Sequence, residues 1–388
     1  MFTDTIGLAL GEVHSLLLNQ DGSVWSSGMD TDGQLGLAAT KHVTNNFIQA
    51  ISSGVKAVAA GDYHSIVLMH DHSVWTTGKN SKGQLGDTSR TDRNIFSPVK
   101  GVDFSFTEFG FKKYHGGAQA IAAGGYHSMV LTGNGGVWTT GWNAYGQLGS
   151  GLNNDRSTFI TSISEGMAAI DAGEIHSMAL GQDGKVWTTG GNMHGQLGDR
   201  TTQDRNRFVE VITGGAHAIA AGGYHSMVLM QNGRVLAAGY NNAGQLGDGM
   251  PTQASARYRN TFKVMRYYSW HQDNLDAKAI AAGSRHSMVL KEDGSVWATG
   301  YNRYGQLGDY TTNTAYFLLP VLPGGVETIA AGGFHSMVLN EDGSVWATGS
   351  NKYGQSGIGS ETSTLHFVRV IRIGAVHIFV FVCMYKGT

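Results

Sequence analysis

Short apolar runs bounded by glycine punctuate the chain at a regular spacing. Near the carboxyl end, Met337-Val338-Leu339 and Ser344-Val345-Trp346-Ala347-Thr348 are β-prone runs separated by Asp342-Gly343. That dipeptide is a strong signal for a two-residue hairpin, because glycine takes positive φ without steric cost. A third run, Ile329-Ala330-Ala331-Gly332, comes before them, and a fourth follows each glycine-rich loop, as in Phe317-Leu318-Leu319. The unit reads as four short strands rather than helix.

The unit repeats. A histidine recurs at His14, His64, His127, His176, His225, His286 and His335, with gaps of 50, 63, 49, 49, 61 and 49 residues. The basic period is therefore about 50 residues with two insertions. Each copy runs through a small apolar strand, Gly, two residues, His-Ser, an apolar run, a turn, Val-Trp and Gly-Gln-Leu-Gly. The tryptophans are Trp25, Trp75, Trp138, Trp187, Trp297 and Trp346, with Leu236 in the fifth copy, and the last glycine loop reads Gly354-Gln355-Ser356-Gly357. The turn is Asp-Gly or Asn-Gly except at Asp71-His72, where histidine must take a conformation that suits it poorly. Four strands every 50 residues make one blade of a β-propeller, whose radial closure leaves only short edges. The expected fold is all-β: one seven-bladed propeller of four-stranded antiparallel blades. Small Ala-Ala-Gly strands suit the crowded centre, and the Trp suits the wider space between blades. Leu8-Ala9-Leu10-Gly11 aligns with the inner strand, so the first blade is expected to lack an outer strand. Phe367–Ile371 would supply it, closing the ring with N- and C-terminal strands. Residues 1–373 then form the propeller, with insertions at about 101–116 and 251–277, and the apolar tail 374–388 falls outside the register.

Composition narrows the function. Glycine makes up 57 of 388 residues and charged residues 14%, with a net charge of −2. Near-neutrality argues against a general phosphate-binding surface, so no nucleic-acid partner is expected. The single cysteine, Cys383, excludes an intramolecular disulfide and a multi-thiolate metal site. Met1–Leu10 carries Asp4 and no basic leader, and the longest apolar run, Ala375–Tyr385, is too short to span a bilayer. A cytoplasmic protein without membrane contact is expected, with a nuclear location and the oligomeric state left open.

The pattern Ala-Ala-Gly-Gly-x-His-Ser, Asp-Gly-x-Val-Trp, Gly-Gln-Leu-Gly resembles the regulator of chromosome condensation repeat family over residues 6–371. The resemblance implies the same seven-bladed propeller. Members of that family include exchange factors for small GTPases, a plant ultraviolet receptor, inhibitors of bacterial enzymes and modules fused to ubiquitin ligases. The exchange factor carries a basic tail, whereas Met1–Leu10 and Val382–Thr388 hold one lysine, Lys386. The receptor places Trp just before the repeat histidine; here Val13, Tyr63, Tyr126, Ile175, Tyr224, Arg285 and Phe334 stand there.

No catalytic, cofactor-binding or metal-binding set emerges. Histidines placed once per blade do not converge on one ion, and each is read as hydrogen-bonding a local turn. Gly-Gln-Leu-Gly lacks the lysine of a phosphate loop and is read as a turn whose Gln bonds neighbouring backbone. Asp92-Arg93, Asp155-Arg156 and Asp204-Arg205 are read as a structural ion pair or turn. The second insertion concentrates Arg257, Tyr258, Arg259, Phe262, Lys263, Arg266, Tyr267, Tyr268 and Trp270 without an acid. Aromatics and arginine dominate interface hot spots, which makes this stretch the candidate protein-binding segment. The first insertion reads as a hairpin, Val102–His115. Its Phe104, Phe106, Phe109, Phe111, Lys112 and Lys113 are the candidate wedge if the chain acts on a small GTPase, as the resemblance suggests. The expected function is a non-enzymatic interaction scaffold without cofactors. The alternatives are an exchange factor or regulator for a small GTPase and, third, an inhibitor capping another enzyme.

Overall fold

The computed structural model describes residues 5–38, 43–102, 104, 116–249, 258–267 and 275–371. Their strands form seven four-stranded antiparallel sheets, each built from strands consecutive in sequence. In the first blade the inner strand Thr5–Leu10, the histidine strand His14–Asn19, the tryptophan strand Val24–Met29 and the outer strand Val43–Ile51 pair in that order. Because neighbours alternate in direction, the Asp-Gly hairpins and the starts of the inner strands share one face of the disc. The Gly-x-x-His turns and the Gly-Gln-Leu-Gly loops share the other. The hairpin glycines take positive φ, as at Gly22 (75°) and Gly343 (76°), and His72 adopts 67° in the one turn without glycine.

The core is a set of seven wedges between adjacent sheets. Leu16, Leu18 and Val24 of blade one meet Val55, Val67 and Phe96 of blade two, with Trp75 packed against them. Each junction repeats this scheme with its own Trp, and Leu236 takes the place between blades four and five. Phe262 and Met230 pack there as Phe96 and Met69 do at the first junction. Burial of such large apolar side chains stabilises each interface by about 1.5–3 kcal/mol per residue.

Polar contacts seal the same junctions. His14 Nε2 lies 2.8 Å from Ser65 Oγ in the next blade, and Ser65 donates to the Gln34 carbonyl at 2.7 Å, back in blade one. Since the serine proton goes to Gln34, His14 must carry its own proton on Nε2 and donate to the serine. The His–Ser contact recurs at all seven junctions, at 2.8 or 2.9 Å. The histidines therefore join neighbouring blades, which corrects the expectation of a local turn: the ring points across the junction because its backbone already closes the turn, Gly11 N to His14 O at 2.9 Å. A Cβ on Gly11 would lie 2.2 Å from the Gly61 carbonyl oxygen and 2.6 Å from His14 Cε1, so only glycine lets inner strands approach this closely.

Ring closure differs from the expectation. Thr364–Ile371 pairs with Val345–Gly349 inside blade seven, and blade one is complete with its own outer strand. The first described strand is an inner one, and among the described residues no blade is left short and no strand is exchanged. The last junction is built like the others: Ser15 to His335 at 2.8 Å, and Ser27 Oγ donating to the Gly354 carbonyl at 2.7 Å. The apolar tail 374–388 lies outside the described residues.

Burial holds the seven imidazoles neutral, with pKa values pushed down to about 3 or 4. The unfolded chain takes up these protons near pH 6.5, so their contribution is complete above that pH and is lost as pH falls through the folded values. Glu12, Asp62, Asp171 and Glu174, whose burial raises their pKa, act in the opposite sense, but they are fewer. Thermal and urea midpoints are expected to drop steadily from pH 6.5 to pH 4, with net proton uptake on unfolding. Midpoints flat across that range would contradict neutral junction histidines. Replacing Ser226 by Ala, which strands a donor and an acceptor, is expected to cost about 2 kcal/mol or more in urea unfolding.

Candidate functional site

The two residues between each repeat glycine and its histidine escape the constraints that fix the rest of the unit. They sit in the Gly-x-x-His turn, at the face opposite the hairpins. The first position reads Glu12, Asp62, Gly125, Glu174, Gly223, Ser284 and Gly333 around the ring, and these residues line the mouth of the axial channel, a space of about 70 Å³. The second position carries Tyr63, Tyr126, Tyr224, Arg285 and Phe334 among its seven residues.

The three acids lean over small neighbours. Glu12 crosses the α-carbon of Gly333, where an added Cβ would meet its Oε2 at 2.2 Å, and accepts from Ser284 Oγ at 2.7 Å. Glu174 accepts from the Tyr224 hydroxyl at 2.7 Å. Asp62, half-buried like the other two, has no hydrogen-bond or ion-pair partner among the described residues. Burial pushes all three carboxyls above their ordinary range, Asp62 well above because Glu12 and Glu174 add their charges. Below the mouth, the channel widens to about 330 Å³ between alanine-rich inner strands. Asp171 is set in this wall, accepting from the Ala172 and Ala221 amides, with a pKa raised by burial to about 6.

Around the mouth, aromatic rings form two arcs. Tyr63 and Tyr126 stand 6.0 Å apart, and Trp142 follows at 6.0 Å and Tyr145 at 5.3 Å beyond it. Lys79 Nζ sits 5.1 Å over the Tyr63 ring and 3.4 Å from Asp32. On the other side His194 touches Tyr224 and Tyr240, at 5.6 and 4.5 Å, and Phe334 meets Tyr301 and Tyr304, at 5.8 and 5.5 Å. Met193 is 61% exposed and Tyr304 40% exposed on this crown. Among the described residues, no three His, Cys, Asp or Glu side chains are placed to share a metal ion.

The sequence-predicted residues that the structure describes do not assemble into one surface. Tyr258–Val264 is the outer strand of blade five, paired with Val235–Tyr240, rather than part of a protruding insertion. It starts at the crown face and ends at the hairpin face. Tyr258 is 46% exposed and Lys263 is exposed, whereas Arg259 pairs with Asp248 at 2.9 Å and Phe262 packs in the core under Gly198. Arg266 is tied by its backbone to Gly247 and Leu318. Tyr267 lies 4.6 Å from Trp297 and donates its hydroxyl to the Leu275 carbonyl at 3.2 Å. Arg257, Tyr268 and Trp270 lie outside the described residues. In the wedge candidate, Phe104 is buried between Trp138 and Phe159, edge-on at 5.7 and 5.5 Å. Phe106, Phe109, Phe111, Lys112 and Lys113 lie outside the described residues. Both insertions thus begin by placing a ring beside a junction Trp.

The glutamine loops behave as read from the sequence, whereas in the Asp-Arg dipeptides that follow them Arg93 pairs with Asp87 and Arg205 with Asp199, not with the adjacent aspartate. Gln34 Oε1 accepts from the Asp32 amide at 3.0 Å, and all seven loop glutamines do the same two residues back. Asp92, Asp155 and Asp204 accept from the Asn80, Asn143 and Asn192 amides, while Arg205 pairs with Asp199 at 2.7 Å. The acid trio was missed although its signal is in the sequence: one repeat column alternates carboxylates with the small residues that make room for them.

Seven such blades define a propeller of the kind expected from the repeats. A family model for the RCC1-like domain matches residues 3–271 and 160–381, and the chain belongs to that family. A search of curated protein sequences finds no match. Among solved structures, Prp20p from Saccharomyces cerevisiae, studied for its binding to Gsp1p and histones, is 21% identical, with 85% of this chain and 80% of that one covered and a TM-score of 0.72. Human WBSCR16 is 23% identical, with 88% of each chain covered and a TM-score of 0.74. Yeast RCC1 (Prp20) bound to Kap60 is 18% identical over 95% of this chain and 85% of that one, with a TM-score of 0.75. At these identities the likeness is one of fold.

The Tyr224 hydrogen bond holds Glu174 down against burial. Tyr224→Phe is therefore expected to raise the Glu174 carboxyl pKa further, read from its side-chain carbon shift in an NMR titration. An unchanged or lower value would remove Tyr224 from the site's electrostatics.

Proposed function

We propose that the protein is a non-enzymatic protein-interaction platform whose working face is the aromatic crown around the channel mouth. The observation that carries this reading is the distribution of side chains: the scaffold positions repeat from blade to blade, and the crown positions do not. Half-buried tyrosines and a tryptophan on a rigid base offer contact area at little entropic cost, as interface hot spots require. Among the described insertion residues Phe262 and Tyr267 pack on the core and Arg259 pairs with Asp248, which leaves less of that segment for a partner than its composition suggested.

The test is affinity capture from native lysate, read by mass spectrometry. The intact chain is compared with a Tyr145→Ala, Met193→Ala, Tyr304→Ala variant and with a deletion of residues 268–274. A partner lost with the crown variant and kept with the deletion supports this face. A partner kept by the crown variant and lost with the deletion returns the site to the insertion.

A second reading, regulation of a small GTPase, draws support from family membership, since the relative Prp20p binds Gsp1p. Residues 105–115 would then act as the wedge, with Phe104 as their buried anchor. Release of labelled GDP from Gsp1p should accelerate with the intact chain and not with those residues deleted. No acceleration by the intact chain would end this reading for that GTPase.

A further inference from the structure

We infer that the pit at the centre of the crown receives a lysine side chain presented by a protein partner. The inference rests on the platform reading and specifies its partner. Glu12, Asp62 and Glu174 meet at one small mouth, and nothing in the described structure neutralises them. Glu12 and Glu174 each hold a single neutral donor, Ser284 and Tyr224. Asp62 holds none. Arg285 is near enough for its charge to be felt at Glu12 and Glu174, yet it forms no ion pair with either and stays exposed at the rim. Carboxylates drawn out of water without a counter-charge are unfavourable, and a cation entering among them recovers that cost.

Size and walls select the occupant. A mouth of about 70 Å³ is far below the roughly 300–1,000 Å³ of a small-molecule site, so it admits the end of one side chain. Gly125 and Gly333 keep the floor open, since a Cβ on either would come within 3.0 Å of a pit carboxylate. Tyr63, Tyr126 and Phe334 follow the lining residues Asp62, Gly125 and Gly333 in the chain, and their rings belong to the rim outside the pit rather than to its wall. The compact ammonium of lysine on its apolar stem matches this combination. A crown of aromatics with an anionic centre thus discriminates by charge at the middle and by shape at the rim.

The probe is Nα-acetyl-lysine N-methylamide, titrated into the intact chain while the ring protons of Tyr63, Tyr126 and Tyr224 are followed by NMR. The neutral isostere Nα-acetyl-norleucine N-methylamide is run in parallel. Saturable shifts are expected with the lysine probe alone, with a Kd on the order of millimolar for so few atoms. Asp62→Asn should weaken it by about tenfold or more, and Arg285→Gln should tighten it by removing a competing positive charge. Equal shifts with the norleucine probe, no shift with lysine, or an unchanged Kd in Asp62→Asn would each overturn the inference. Thermal melts of both variants at pH 7 establish that they are folded. The lysate capture separates the two claims. A partner that Asp62→Asn retains but the crown triple variant loses would leave the platform standing without its lysine pit. A partner that both variants retain would remove the crown reading itself.

Discussion

A neutral imidazole donating across a gap of 2.8 Å to a serine on the next blade is the contact on which the disc depends. At six of the seven junctions the serine passes its own proton back to the Gln carbonyl of the preceding blade, so those blades grip their neighbours with a histidine, a serine and a loop carbonyl at once. The chain of consequences is direct. The imidazole needs a glycine beneath it, the inner strands must be small to let blades converge, and the Gln-bearing loop must turn tightly enough to offer its carbonyl. Three motifs that look separate along the chain are one joint in space. Nδ1 is left buried without a hydrogen bond at every joint, and that desolvation is what keeps the ring uncharged.

Because the joint is the same between blades seven and one, the two ends of the chain are held without exchanging a strand. Side-chain wedges, the His–Ser contact and the Ser27 hydrogen bond to the Gly354 carbonyl hold the last junction. The disc is then rigid as a consequence of repetition: opening any joint exposes a core wedge and strands two buried polar groups. Rigidity in turn fixes the turns at the crown face, where a half-buried ring or an acid leaning over a glycine costs little extra ordering.

Much of this was legible in the sequence, and the failures share a cause. Seven blades, four strands each, the hairpin turns and the Trp between sheets follow from periods and residue sizes, which are local properties. Phe367–Ile371 belongs to blade seven rather than to blade one as expected, because strand pairing across the gap between chain ends is not local. The reach of the histidine to the next blade is equally non-local. Composition drew attention to Tyr258–Tyr267, yet Phe262 and Tyr267 turn out to fill the places beside Gly198 and Trp297 that the geometry of those junctions leaves open. The acid trio was legible only if the repeats were read as columns, where Glu12, Asp62 and Glu174 alternate with glycine and serine. Comparing blades at one position reveals the surface that varies, whereas reading along the chain reveals the scaffold that does not.

The joint itself can be observed directly by long-range proton–nitrogen correlation NMR on ¹⁵N-histidine-labelled protein. The seven repeat imidazoles should give the pattern of the neutral Nε2–H tautomer and keep it from pH 7 down to about pH 5, near the limit set by their lowered pKa values of about 3 to 4. Repeat histidines that titrate near pH 6.5, or that carry the proton on Nδ1, would contradict the joint and with it this account of how the blades are held.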